Sequence, residues 1–277
     1  MPCAHEIACR HVDLSMPKLT VNGHRACYEL QGIGNSVIVL SNSLGTTMSM
    51  WDEQIPILSS RFRVLRYDTR GQGDSEVTPG EYHIGQLGSD VLALTSALGI
   101  KTFSFCGISM GGLIGQWLAR EYPDRLDKLI LCNTALKIGD SDGWEHRIEL
   151  ALKEGLRSIA DAAIGRWFTT TYVASQPQRV ETIKQQLLAC DADGYAANCA
   201  AVRDADFRGN VSPVSAPTLV IAGDADPVTT IADCETLADS ISGATLEVMR
   251  AAHLSNIGDP LRFGTALENF LARGSAS

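Results

Sequence analysis

A serine flanked by glycines is the first candidate for chemistry in this chain. Residues 107–111 read GISMG and fit the pattern G-x-S-x-G. The apolar segment FSFC precedes them, and LIGQWLA follows Gly112. This order predicts a strand, a sharp turn and a helix, where small neighbours let the serine adopt a strained backbone conformation. Ser109 is therefore the predicted nucleophile, in preference to a structural serine in a tight turn.

A serine hydroxyl is a poor nucleophile until a base takes its proton. His253 follows the last apolar strand-like segment, TLEVMR, and precedes the final helical pattern. It can therefore emerge at the strand ends near Ser109, and we expect it to be the base rather than a surface histidine. The other histidines are predicted to lie in the N-terminal tail, in turns or loops, or in a helical insertion (His5, His11, His24, His83 and His146).

The third group should be an acid after the penultimate strand, in the order Ser, Asp, His. The segment PTLVIAGDADP offers Asp224 and Asp226 at that place. The acid must reach the imidazole Nδ1 and fix its tautomer and orientation. Asp226 is favoured, and Asp224 is the alternative because either carboxylate could cap the turn.

Two backbone N–H groups are expected to stabilise the negative oxygen that forms during acyl transfer. One belongs to Met110, at a helix N-terminus where the helix dipole also favours negative charge. The other is expected from the loop in VIVLSNSLGTT. Leu44 is the favoured donor in that loop, with Ser43 as the alternative.

The elements that must position these residues alternate along the chain. An Asn22-Gly23 pair between KLTV and RACYEL predicts a β-hairpin. Continuous apolar segments such as SVIVLSN, KLILCN and PTLVIAG are typical of strands buried on both faces. Helical spacing recurs between them, for example in a stripe of four apolar residues (Leu87, Val91, Leu94 and Leu98). Alternating strands and helices predict an α/β fold with a mostly parallel, twisted sheet flanked by helices.

One region interrupts this alternation. Residues 135–209 are polar and helix-like, which predicts a helical lid over the carboxyl ends of the strands, where ligands bind in open α/β sheets. The core is then expected over residues 16–134 and 210–277. Residues 1–15 show no pattern and are predicted to be a disordered N-terminal extension.

Charge and composition exclude several classes of partner. The formal net charge is -9 over 277 residues, which argues against binding to nucleic acid or to an anionic membrane surface. No apolar segment reaches the length of a membrane span, and no secretory h-region is present. The eight cysteines are dispersed without close CxxC pairs, so neither disulfides nor a zinc site is expected, and the cytoplasm is the predicted compartment.

The motifs also resemble a known family. The segments LSNSLGTTMSMW, FRVLRYDTRGQGDS, CGISMGGLIGQWLA, GYAANCAAVRDADFR and AAHLSNI are similar to the α/β-hydrolase superfamily and, within it, to the 3-oxoadipate enol-lactonases. The resemblance extends from about Met16 to the last helix and includes the lid. One departure is Gln72, because the family usually has histidine in RGHG. The surrounding loop is interpreted as structural.

The resemblance implies an α/β-hydrolase fold and a small anionic lactone as substrate. 3-Oxoadipate enol-lactone would be opened to 3-oxoadipate, a late step in the catabolism of protocatechuate and catechol. The implied mechanism passes through an acyl-enzyme on Ser109 and needs no metal or organic cofactor.

An anionic substrate requires a cationic partner, because an unpaired carboxylate is costly to desolvate. Trp144 and Arg147 are spaced i,i+3 on one predicted helix face, so arginine could hold the carboxylate while the indole covers the ring. Arg166, beside Trp167, and Arg203 are the rival arginines, and the Arg203 segment resembles the family closely. Further candidates for substrate contact flank two strand ends (Ser43 and Asn133).

Other functions remain open from the sequence. A C–C hydrolase of meta-cleavage products or another carboxylesterase would use the same triad and a similar lid. Cofactor-free haloperoxidase activity is a side reaction of such triads. A ligand-binding receptor on a hydrolase scaffold is an alternative of a different class. The sequence carries no signal for an oligomeric state.

Overall fold

The computed structural model of the protein describes residues 16–209 and 214–273. The predicted extension at residues 1–15 lies outside the described residues. Among those described, no helix is long and apolar enough to cross a membrane.

A single sheet of eight strands forms the centre of the fold. In chain order the strands are β1 (Lys18–Val21), β2 (His24–Gln31), β3 (Val37–Ser41), β4 (Arg63–Tyr67), β5 (Phe103–Ile108), β6 (Leu126–Cys132), β7 (Thr218–Gly223) and β8 (Thr245–Met249). Their spatial order is β1-β2-β4-β3-β5-β6-β7-β8. β2 pairs antiparallel with β1 and β4, and all the other pairs are parallel. The predicted mostly parallel sheet is therefore present.

The sequence signals that predicted the strands have clear physical counterparts. Every residue of β3, β5 and β7 is buried, as their continuous apolar composition requires. Asn22 and Gly23 both have positive φ, 44° and 76°, as a two-residue type I′ hairpin turn demands.

Helices cover the two faces of this sheet. The helices of the core are α1 (Ile55–Leu58), α2 (Ile84–Ala97), α3 (Met110–Glu121), α9 (Ile231–Asp239), α10 (Ser255–Gly258) and α11 (Pro260–Ala272). In α2 the predicted stripe is buried at Leu87, Val91 and Leu94. α3 ends just before Pro123, which cannot continue a helix.

Five further helices stand between β6 and β7 and are called the helical insertion. They are α4 (Ser141–Glu154), α5 (Arg157–Trp167), α6 (Thr170–Ser175), α7 (Pro177–Leu188) and α8 (Ala192–Asp204). Three begin at capping side chains that accept a hydrogen bond from the first turn (Asp140, Thr169 and Asp191). Residues 135–209 contain no strand, as the sequence predicts.

Backbone hydrogen bonds tie the helical insertion to the core at two places. At the end of α5, the carbonyl oxygens of Arg166 and Trp167 accept hydrogen bonds from the N–H groups of His253 (3.4 Å) and Leu254 (3.2 Å). In α8, the Ala197 carbonyl accepts a hydrogen bond from Tyr82 N–H at 3.1 Å. The insertion is therefore fixed directly against the loop that carries His253.

Glycines allow β5, α3 and β3 to approach one another closely. A Cβ on Gly107 would lie 2.1 Å from the Gly111 carbonyl oxygen, and one on Gly111 would lie 2.4 Å from the Ser41 carbonyl oxygen. Both neighbours are backbone atoms, which cannot move aside as a side chain could. The turn between β5 and α3 therefore depends on residues without a Cβ.

We predict that Gly107→Ala lowers the free energy of unfolding by at least about 1–3 kcal/mol, the usual cost of overpacking. Gly165→Ala is the matched control, because a Cβ at this position of α5 meets nothing within 4 Å. The control should be neutral or stabilising by about 0.5–1 kcal/mol. Denaturant unfolding of both variants measures the difference, and equal midpoints would contradict this account of the turn.

Candidate active site

Ser109 occupies the turn between β5 and α3 with φ 56° and ψ −112°. This is a strained conformation for a residue with a side chain. It is held by hydrogen bonds on both sides of the residue. Ser109 N–H donates to the Cys132 carbonyl (2.9 Å), and the Thr134 hydroxyl donates to the Ser109 carbonyl (2.9 Å). The end of β6 therefore supports the backbone of the serine.

His253 lies in the loop after β8 and is almost fully buried. Its Nδ1 is 2.8 Å from Asp226 Oδ2, so Nδ1–H donates to the carboxylate when the ring is the Nε2-unprotonated tautomer. This leaves Nε2 as the nitrogen that can accept a proton. Among the described residues, Ser109 Oγ makes no hydrogen bond to the ring, and such bonds often tighten only when substrate is bound.

Asp226 follows β7 and is also buried. Thr229 holds it from its hydroxyl (2.8 Å) and N–H (3.2 Å), and Val228 N–H donates to it at 2.8 Å. Burial alone would raise the pKa of the carboxyl. The hydrogen bond and charge of His253, followed by the other donors, keep the pKa below its usual value. An ionised acid next to the imidazole is the result.

Asp224, the alternative acid, is exposed at the end of the same strand. Its side chain makes no hydrogen bond or ion pair with any residue in the described ranges. The structure thus brings His253 together with Asp226 and not with Asp224. The turn Asp226-Pro-Val-Thr229, in which an acid accepts bonds from the residues two and three positions later, is the local signal that separates them.

Asn133 was expected to contact substrate, and the structure places it elsewhere. It is fully buried at the end of β6, with φ 44°. Its Nδ2 donates to Asp226 Oδ2 (3.0 Å) and to the Ala252 carbonyl (3.3 Å), and its Oδ1 accepts from the Ser255 hydroxyl. With both ends of the amide occupied, Asn133 supports the acid instead of facing a ligand.

The N–H groups of Leu44 and Met110 are free to bind a negative oxygen. Met110 is the first residue of α3, and the first N–H groups of a helix have no partner within it. Within residues 16–209 and 214–273, neither N–H is a donor in any hydrogen bond. Close packing of Gly111 against the Ser41 carbonyl places the loop and the helix start side by side. The hydroxyl of Ser43 is likewise without a partner in these residues.

Gln72 contacts the loop that contains Leu44. The sequence analysis interpreted the segment around Gln72 as structural and did not predict this contact. Its Oε1 accepts a hydrogen bond from the N–H of Gly45, the residue after Leu44. Gln72 is distant in sequence and lies after β4. A pattern that is local in sequence could not have revealed the contact.

Arg203 was a rival for the substrate carboxylate, and the structure shows its guanidinium bonded to carboxylates of the protein. Its guanidinium donates to three carboxylates, those of Glu145 (2.7 Å), Glu81 (2.9 Å) and Asp204 (2.8 Å). The hydrogen bonds that Arg203 donates to Asp204, then to Glu81 and Glu145, raise the pKa of its guanidinium. Arg203 therefore joins α8 to α4 and to the loop before α2, with its charge already compensated.

Trp144 was expected to cover the substrate ring, and it has a different set of contacts. Its indole N–H donates to the Ile138 carbonyl (2.7 Å), and the side chain is buried. The guanidinium carbon of Arg147 lies 4.6 Å from the centre of the indole ring. A cation so placed is attracted by the ring face. Trp144 therefore fixes Arg147, and the spacing i,i+3 brings the two together as predicted.

Arg147 and Arg166 are two positive charges on the helical insertion, in α4 and α5. Among the described residues, neither guanidinium forms a hydrogen bond or an ion pair. Burial, and then the positive charge of Arg147, lowers the pKa of Arg166. Both also interact electrostatically with buried Tyr195, whose ring lies beside Gly45. The site thus holds a local excess of positive charge in a chain of net charge -9.

One cluster in the described residues has ligand atoms close enough to hold a metal ion. The atoms of Cys27, Asp68 and Asp74 lie within 4.8 Å of one another. Asp68, however, accepts hydrogen bonds from the N–H groups of Met48 (2.7 Å) and Asp74 (2.9 Å). Burial, with the nearby aspartates, raises the pKa of Cys27 to about 11, which keeps the thiol protonated. We assign no metal to this cluster.

Known proteins share both the sequence and the fold. A family model described as the alpha/beta hydrolase fold matches residues 36–154. The chain is 46% identical over 236 residues to 3-oxoadipate enol-lactonase 2 of Acinetobacter baylyi, covering 85% of this chain and 88% of that protein. It is 32% identical over 248 residues to RutD of Agrobacterium fabrum, named as a candidate carbamate hydrolase, covering 84% and 92%.

A solved structure agrees with this. The enol-lactonase from Burkholderia xenovorans LB400 is similar with a TM-score of 0.91 and 43% identity, over 93% of this chain and all of that one. This structural match covers too much of the chain to leave out the helical insertion. The chain belongs to the α/β-hydrolase family and is a lactone or ester hydrolase.

Proposed function

We propose that the protein is a 3-oxoadipate enol-lactonase, which hydrolyses 3-oxoadipate enol-lactone to 3-oxoadipate. The observation that carries the proposal is the pair of arginines, Arg147 and Arg166, that have no carboxylate partner among the described residues. Arg166 lies at the end of α5, where its carbonyl accepts a hydrogen bond from His253 N–H. A lactone with a carboxylate side chain needs such a partner, and a neutral ester does not. The similarity to enol-lactonases over most of the chain supports the same substrate.

The residues of the site fit the required steps. Ser109 Oγ attacks the lactone carbonyl while His253 Nε2 takes its proton, and Asp226 stabilises the imidazolium that forms. The negative oxygen is bound by the N–H groups of Leu44 and Met110. Collapse breaks the ring C–O bond, and the imidazolium protonates the enolate oxygen that leaves. The freed enol becomes a ketone, which makes ring opening effectively irreversible.

Water completes the reaction in the second half. His253 removes a proton from water, the hydroxide attacks the acyl carbon, and Ser109 leaves with the proton returned by the imidazolium. The product carries one more carboxylate than the substrate.

The proposed setting is the catabolism of aromatic compounds in the cytoplasm. The six cysteines in the described residues are all free, which fits a reducing compartment (Cys27, Cys106, Cys132, Cys190, Cys199 and Cys234).

The purified protein should remove the ultraviolet absorbance of enzymatically generated enol-lactone, and Ser109→Ala should remove nearly all of this activity without unfolding the protein. Because triad members act as a unit, His253→Ala should be about as severe, and the double variant little worse. A Ser109→Ala enzyme with more than a few per cent of the wild-type rate would refute the assignment of Ser109 as the nucleophile.

Turnover of a carbamate or a meta-cleavage product in place of the lactone would assign one of those activities to the protein instead.

Asp226→Asn should lower kcat by roughly four decades, the loss measured for the equivalent change in a serine protease, because asparagine favours the wrong imidazole tautomer. Asp224→Asn is the matched control and should cost far less, since Asp224 is exposed and has no side-chain partner in the described residues. Steady-state kinetics on the lactone measure both. Reversed effects would move the acid two residues upstream.

Arg147→Ala and Arg166→Ala should each lower kcat/KM for the charged lactone. The loss should correspond to about 1.5–3 kcal/mol of transition-state stabilisation, the value of a charge-assisted hydrogen bond. Hydrolysis of neutral p-nitrophenyl acetate should hardly change. Arg203→Gln is the control and should affect the two substrates equally, because its partners are protein carboxylates. Equal losses on both substrates in the Arg147 and Arg166 variants would contradict a carboxylate site.

A further inference from the structure

The direction of the Leu44 N–H is set by hydrogen bonds to the peptide that contains it. That peptide joins Ser43 and Leu44, and its carbonyl accepts from Thr46 twice, from the backbone N–H (3.3 Å) and from the hydroxyl (2.8 Å). In a planar trans peptide the C=O and N–H groups point in opposite directions. Fixing the Ser43 carbonyl on one side therefore directs the Leu44 N–H to the other.

The next peptide, between Leu44 and Gly45, is held from outside the loop. Its N–H belongs to Gly45 and donates to Oε1 of Gln72. Gly45 has φ +76°, so the chain reverses here, and without the bond this peptide would be free to rotate. Both peptides that flank Leu44 are thus fixed, one by Thr46 and one by Gln72.

Gln72 lies in the loop after β4, and several hydrogen bonds hold this loop in place. In that loop Arg70 makes a two-bond ion pair with Asp90, at 2.8 Å each, and its carbonyl accepts from Asn198 in α8 at 2.8 Å. Gln72 N–H donates to the Thr69 carbonyl at 2.9 Å. A side chain on such a support can hold another loop in place.

The amide nitrogen of Gln72 differs from the oxygen in its contacts. Nε2 is buried and has no hydrogen-bond partner among the described residues. A buried unpaired donor opposes folding, so an apolar side chain of the same length would fill this space at no loss of polar contacts other than the one to Gly45. Among the described residues, the one hydrogen bond of the Gln72 side chain is the one that its Oε1 accepts from Gly45 N–H.

We propose that Gln72 is a positioning residue for the oxyanion hole, acting through Gly45 on the N–H of Leu44. This proposal rests on the acyl-transfer mechanism proposed above, but it does not depend on which lactone or ester is cleaved. Loss of the acceptor frees the peptide between Leu44 and Gly45, so Leu44 is then held on one side only, by the bonds of Thr46 to the Ser43 carbonyl. Rotation about the backbone bonds of Leu44 can then turn its N–H away from the negative oxygen of the transition state. Binding of the uncharged ground state is unaffected.

The test compares Gln72→Met with the wild-type enzyme on p-nitrophenyl acetate. Methionine keeps the length of the side chain and lacks the acceptor. We expect kcat to fall about 10- to 100-fold, less than the 10²- to 10³-fold loss when an oxyanion donor is removed outright, with KM changed less than about twofold. The melting temperature should shift only slightly, since the unpaired Nε2 is removed together with the bond.

An alkylboronic acid supplies a readout that a purely structural role would not move. Its tetrahedral adduct with Ser109 places an oxygen in the oxyanion hole, so its affinity should weaken in parallel with kcat. Gln54→Met is the matched control, because Gln54 is a buried glutamine bonded to the Asn256 carbonyl (2.8 Å), and it should change neither quantity. Wild-type kcat in Gln72→Met, or lost kcat with unchanged boronate affinity, would overturn the proposal.

Rescue by another acceptor gives a second test, which also decides the matter if Gln72→Met does not fold. At pH 8 a neutral histidine can accept from Gly45 N–H, so Gln72→His should keep most of the wild-type kcat. Asparagine keeps the amide but is one methylene too short, so Gln72→Asn should be impaired like methionine. Equal activity of the two variants would contradict the proposal. An inactive wild-type enzyme, or an active Ser109→Ala, would instead count against the mechanism itself.

Discussion

Ser109 holds φ 56° and ψ −112°, a conformation costly for a residue with a Cβ, and the surrounding elements are those that this conformation requires. Hydrogen bonds from the end of β6 hold it, and glycines on both sides let α3 and β3 pack against the turn. The same turn leaves the Met110 N–H at the start of α3 without a partner in the part of the chain that the structure describes. One constrained residue thus sets the place of the nucleophile and of one oxyanion donor together.

The helical insertion carries a local positive charge although the net charge of the protein is negative. The chain is acidic, yet Arg147 and Arg166 lie together on the insertion, and neither has a carboxylate partner in the described residues. Trp144 binds Arg147 through its ring face and so orients a cation without neutralising it. Arg203 shows the opposite case, with three carboxylates around one guanidinium. The difference between these arginines is what makes one pair available to a ligand.

Local patterns predicted what local chemistry determines. The strands, the hairpin at Asn22 and the turn at Ser109 follow from residue types within a few positions, and the structure has all of them. Two of the three carboxylate partners of Arg203, Glu81 and Glu145, lie far away in sequence, so these ion pairs could not be anticipated. The contact of Gln72 with Gly45 is likewise distant in sequence. The hydrogen bond from Asn133 to Asp226 could not be anticipated either, because the two residues lie 93 positions apart.

The hydrogen bonds from His253 and Leu254 to the end of α5 have a mechanical consequence. The helix that carries Arg166 and the loop that carries the base are joined through the backbone itself. Swinging the whole insertion outward would break both bonds and disturb the imidazole. A route for the ligand that keeps both bonds must use side-chain rearrangement or the other helices of the insertion, with α5 held against the catalytic loop.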